Sequence, residues 1–86
     1  MRPAQGALVA MKVVVYTSPT CIYCYVVKIF LKKNNIKFEE IDISEDKKAR
    51  AFLFEKTGVE TVPVTFVGEK FVAGYDRKKL KELLGL

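Results

Sequence analysis

The chain has no histidine and no tryptophan, and only two cysteines, three prolines and five glycines among its 86 residues. A structural zinc centre takes four Cys or His ligands. Two cysteines without histidine cannot supply that set from one chain, so no metal site is expected. Zinc-finger and RNA-recognition patterns are missing as well. No apolar run reaches the roughly 18 residues of a membrane span, because Lys12, Lys28, Lys32 and Lys33 interrupt the candidates; no membrane association is expected. The opening "MRPAQGALVA" lacks the apolar stretch of roughly 7 to 15 residues found in a secretory signal. These absences point to the cytoplasm, where reducing conditions disfavour a permanent structural disulfide. Repeats, linkers and low-complexity segments are also lacking.

What is present is globular: 50% of residues are hydrophobic and 12% aromatic, a composition with enough apolar surface for one small core. Residues 1–10 read as a disordered N-terminal extension and 11–86 as the single domain, because the periodic pattern begins near Met11. The net charge of +5 comes from 15 basic and 10 acidic residues. The lysines are spread over several segments, so they read as solvated helix faces, and no nucleic-acid partner is expected.

"KVVVY" at 12–16 is β-branched and bounded by "TSPT", which predicts a buried strand and a turn. Cys24, Val27, Phe30 and Leu31 then recur at helical spacing, with Lys28, Lys32 and Lys33 on the other side. Asn34 and Asn35 end that helix, since Asn tolerates the left-handed conformation. "IKFEEIDI" is strand-like, with its alternation broken at Glu39 and Glu40 by a bulge or a strand end. Ser44 is the expected N-cap of a second helix, with Glu45 and Asp46 in its first turn, Ala49, Phe52 and Leu53 as its buried stripe, and Gly58 after its last turn. "VTFVGEKFVAG" predicts a hairpin turning at Gly68 and Glu69. Asp76 should cap a final helix carrying Leu80, Leu83 and Leu84. A right-handed crossover makes the first two strands parallel. The fold class is therefore α/β, a four-stranded mixed sheet flanked by three helices.

Cys21 and Cys24 fall where the first strand hands over to the first helix, the edge at which open α/β sheets carry chemistry. Helical residues three apart have Cβ atoms about 5 to 6 Å apart, close to disulfide reach. Cys21 lies at or before the first helical residue, where free backbone N–H groups and the helix dipole favour an anion. Such placement lowers a Cys pKa from about 8.5 towards roughly 3.5–7.5, and Lys28 adds positive charge nearby. Cys24 points inward. Cys21 is thus the expected nucleophile and Cys24 the resolving thiol. Two inert buried thiols and a cluster-bridging dimer stand as alternatives to redox exchange.

"CIYC" after the first strand, "TVP" at Thr61, Val62 and Pro63, and "GYD" at Gly74, Tyr75 and Asp76 together resemble the three marks of the glutaredoxin family, over residues 12–86. The resemblance implies a thioredoxin fold and a thiol–disulfide oxidoreductase acting through a Cys21–Cys24 dithiol on protein or glutathione mixed disulfides. It implies a cis bond before Pro63, a Val62 backbone that pairs with bound substrate, and a Gly74–Asp76 stretch that binds the γ-glutamyl end of glutathione, Asp76 being also a plain helix cap. Tyr16, Thr20 and Tyr23 would either shape the surface around Cys21 or serve only packing and turn formation. Ser18 replaces the Lys that glutaredoxins often carry, Ala73 the first Gly of their Gly-Gly-x-Asp, and Ile22 the usual Pro, while Glu60 puts an acid before "TVP". These departures keep open an NrdH-type electron donor reduced by thioredoxin reductase. An iron–sulfur carrier is the rival from another class, although the Gly and Ser such carriers place in the motif are missing. The expected partners are disulfide-containing proteins and either glutathione or thioredoxin reductase. The protein is expected to be a monomer with no tightly bound cofactor and with glutathione as a co-substrate.

Overall fold

Three consecutive valines begin β1 (Val13–Thr17), and their alternation distributes them to opposite faces of a sheet. The computed structural model describes residues 12–59 and 61–86. The expected extension at 1–10, the domain start at Met11 and the expected role of Glu60 lie outside the described residues. After β1 come α1 (Ile22–Lys33), β2 (Glu39–Asp42), α2 (Lys47–Thr57), β3 (Val64–Val67), β4 (Lys70–Ala73) and α3 (Arg77–Leu84). The strands form one sheet in the order β2-β1-β3-β4. β1 pairs parallel with β2 and antiparallel with β3, and β3 pairs antiparallel with β4. This is the expected mixed sheet with three helices, the thioredoxin fold.

Sheet register sorts the core into two clusters. Val13 and Val15 share one face with Val67 and Val72, packed against Val27, Phe30 and Leu31 of α1 and Leu80 and Leu84 of α3. Tyr16, Val64 and Phe66 occupy the opposite face, where Leu53 of α2 and Ile43 cover them. The first helix ends as the sequence suggests, with Asn35 at φ 58° and the Asn34 side chain donating to the Phe30 carbonyl at 2.9 Å. Gly58 closes α2 at φ 77°, and Gly68 supplies the positive φ of the two-residue hairpin turn.

Several expectations need correction. Ser44 does not cap α2. Its N–H and hydroxyl both donate to the Asp42 carboxylate, at 2.9 and 2.6 Å, which ties it into a turn. Asp46 is the N-cap instead, accepting from the Ala49 N–H at 3.0 Å, so Glu45 and Asp46 precede the helix. Phe52 is not buried but 39% exposed; it lies against Tyr16 and Phe66 on the rim of the second cluster. β2 is shorter than the apolar pattern suggests, beginning only at Glu39, so the break in alternation marks a strand end.

Candidate active site

Cys21 is the N-cap of α1, with extended backbone angles of −95° and 110°. Its sulfur accepts the Cys24 N–H at 3.1 Å. A thiol thus fills the position where Ser, Thr or Asp usually take one of the unpaired N–H groups of a helix start. The approach is fixed by the turn of "TSPT", closed by the Cys21 N–H donating to the Ser18 carbonyl at 3.2 Å. No acidic residue lies in the first turn of α1, while Lys32 and Lys33 occupy the last. The helix dipole therefore presents its positive end to Cys21 without a local anion opposing it. Cys24 stands one turn on, 1% exposed, at a Cα–Cα distance of 5.3 Å, and the two sulfurs are joined as a disulfide.

The Val62–Pro63 peptide is cis, and the Val62 carbonyl oxygen lies 3.6 Å from the Cys21 sulfur. A reduced Cys21 thiol at that spacing can donate to it. Val62 packs its side chain against the Tyr16 and Leu53 cluster. Pro63 in turn holds the third motif, its carbonyl accepting the Gly74 N–H at 2.7 Å. Gly74 has φ 77° and open space where a Cβ would stand, so backbone conformation rather than crowding calls for glycine there. Tyr75 sets its ring edge-on to Phe30 at 6.2 Å. Asp76 caps α3, its carboxylate accepting the Lys79 N–H at 3.1 Å. Hydrogen bonds and contacts thus bring together Cys21, Cys24, Val62, Pro63 and Gly74, and Tyr75 and Asp76 follow on the chain. Thr20, Tyr23 and Thr61 are exposed beside them.

Tyr16, read either as shaping the surface around Cys21 or as plain packing, is buried in the second cluster. Burial, reinforced by Glu39 and Asp46, pushes its phenol above the ordinary 10.0, so it stays neutral and acts by packing. Lys28, expected to add positive charge near the pair, is tied to the sheet. Its ammonium is engaged by Glu40 at 2.9 Å, and the same carboxylate oxygen accepts the Thr17 hydroxyl at 2.9 Å. The Lys28 hydrogen bond, helped by that of Thr17 and opposed by partial burial, holds the Glu40 carboxyl below its ordinary 4.5. This bridge joins β1, β2 and α1. Its one trace in the sequence is an acid that breaks the apolar alternation of β2.

A Cys-x-x-Cys pair at a helix start, set opposite a cis-proline on a four-stranded mixed sheet, defines a redox protein of the thioredoxin fold. The family model described as Glutaredoxin matches residues 13–72, and the chain belongs to the glutaredoxin family. A glutaredoxin of Pseudomonas aeruginosa is 39% identical over 64 residues, covering 74% of this chain and 76% of that protein. The crystal structure of a glutaredoxin from Archaeoglobus fulgidus superposes with a TM-score of 0.79 at 34% identity, covering 92% of this chain and 91% of the other. A buckwheat glutaredoxin solved as its glutathione complex gives a TM-score of 0.70 at 28% identity, over 95% and 77% of the two chains. Among the described residues no helix is long and apolar enough to cross a membrane, and no group of three or more His, Cys, Asp or Glu side chains could hold a metal ion.

Proposed function

We propose that the protein is a cytoplasmic, monomeric thiol–disulfide oxidoreductase that reduces protein and glutathione mixed disulfides, with no tightly bound cofactor and glutathione as co-substrate. The observation that carries this reading is the asymmetry of the pair: Cys21 caps the helix and faces the Val62 carbonyl, whereas Cys24 is 1% exposed behind it. The Cys21 thiolate attacks one sulfur of the substrate disulfide, forming a mixed disulfide and expelling the other sulfur as a thiolate. Cys24 then gives up its proton and attacks the Cys21 sulfur. The second substrate thiol leaves, and the two electrons are accounted for by the new Cys21–Cys24 bond. Two glutathione thiols reset the pair and become glutathione disulfide.

The Val62 backbone, Gly74 and Asp76 are the groups assigned to glutathione, as the resemblance of "TVP" and "GYD" to the glutaredoxin motifs implies. The Gly74 N–H is already spent on Pro63, which leaves the following N–H groups and the Asp76 carboxylate for the γ-glutamyl end. A second reading, an electron donor fed by thioredoxin reductase, is favoured by Ser18, which supplies a turn carbonyl and no cation beside Cys21. NADPH consumption separates the two. Turnover with glutathione and glutathione reductase supports the first reading. Turnover confined to thioredoxin reductase supports the second, and the absence of turnover with both systems refutes the oxidoreductase assignment.

A further inference from the structure

The helix that carries the dithiol is apolar on two faces. Val27 and Leu31 bury one face in the core. Ile22, Tyr25 and Ile29, at spacings of three and four, lie in one stripe on the other side, and they are 77%, 62% and 37% exposed. A helix resting on a single core normally shows solvent a polar outer face. Single exposed apolar side chains need no explanation, but three in one continuous row do. The row begins at the residue after Cys21 and ends at Lys32 and Lys33, and α1 contains no acidic residue.

We propose that this stripe is a docking surface for protein substrates whose disulfide is set among apolar side chains with an acidic rim. The proposal rests on the oxidoreductase reading above and narrows its substrate class. A mixed disulfide brings the partner's Cα within about 4.4–6.8 Å of the Cα of Cys21. A folded partner must then cover the ground beyond it, since a specific interface takes about 800 Å² from each side. Ile29 lies eight residues along the helix, about 12 Å at 1.5 Å per residue, well inside such a footprint. The basic end of the stripe and the chain's net charge of +5 select acids at the rim through the rate of encounter. A tripeptide held at Val62 and Gly74 takes its contacts from those residues and has no need of this surface.

The test uses the reduced full chain, two disulfide-bridged peptides of equal length, and 2-hydroxyethyl disulfide as a small probe. One peptide carries Leu and Glu around its disulfide, the other Ser and Lys. The wild type should react about tenfold faster with the Leu/Glu peptide, and added salt should reduce that advantage. A Tyr25→Ser/Ile29→Ser variant should lose most of the preference while reacting normally with the small probe. A Lys32→Glu/Lys33→Glu variant, altered only at exposed positions, should lose the charge-dependent part even if the first variant folds poorly. Equal rates for the two peptides with the wild type, or a preference unchanged in both variants, would overturn the proposal while leaving the oxidoreductase reading intact. No reaction of the wild type with the small probe would overturn both.

Discussion

A disulfide is attacked by the sulfur it can reach, and burial assigns that task. Cys24 is shut behind the helix start, while the Cys21 sulfur sits at the cap with one N–H from its own helix already directed at it. Two substitutions separate the roles. Cys21→Ser should abolish exchange, and Cys24→Ser should accumulate a mixed disulfide on Cys21, both read by mass spectrometry after incubation with a disulfide substrate. Asp76 poses a different question, because its carboxylate caps α3 whether or not it also meets a ligand. Asn is as good an N-cap as Asp. Asp76→Asn should therefore leave the melting temperature within about 2 °C, well under the shift that about 1 kcal/mol produces in a domain this size, while raising KM for glutathione several-fold. A KM that does not move would leave Asp76 a helix cap alone.

At the scale of elements, the Thr17–Glu40–Lys28 bridge fixes the end of β1 to α1. Two hydrogen bonds converge on one carboxylate oxygen. An exposed ion pair contributes about 0–1 kcal/mol, and the buried Thr17 hydroxyl adds its own bond, so Glu40→Gln should cost about 1 kcal/mol. That corresponds to a fall of about 4–8 °C in melting temperature. Its pH dependence follows from the direction of the shift. The folded-state pKa of Glu40 is depressed, so the stabilisation is fully present above the unfolded carboxyl value. It is lost as pH falls through the folded one. The gap between wild type and variant, measured by thermal melts from pH 7 downward, should close in acid; a constant gap would mean that the carboxylate charge is not its source.

Most elements could be read in the sequence because one signal dominated each. The valine run gives β1, the 3.6-residue stripe gives α1, and Gly68 gives the hairpin turn. The start of α2 was ambiguous because Ser44 and Asp46 are both good caps, and only the Asp42 carboxylate, which takes both Ser44 donors, decides between them. The dithiol was legible because both cysteines lie within one turn. The Glu40–Lys28 contact was not, since it joins positions brought together only by the crossover, and the burial of Tyr16 depends on a helix packed from the far side of the sheet.

Across the whole molecule, two modest clusters on either side of a four-stranded sheet hold the site in place. Domains of this kind are stable by only about 5–15 kcal/mol, so a single unpaired polar group matters. Thr65 lies in β3 at the centre of the sheet, fully buried, and among the described residues its hydroxyl has no hydrogen-bond partner. An unsatisfied buried group costs about 1–3 kcal/mol. Thr65→Val should therefore raise the melting temperature by about 4 °C or more without altering the rate of disulfide exchange. A fall in melting temperature would show that the hydroxyl is satisfied.

In the proposed function the two cysteines act in a fixed order, and trapping reads that order out. Cys24→Ser and Cys21→Ser proteins, reduced and then mixed with glutathione disulfide, are digested and mapped by mass spectrometry. A glutathione adduct is expected on Cys21 of the first protein and none on Cys24 of the second. An adduct on Cys24, or disulfide turnover by Cys21→Ser, would contradict it.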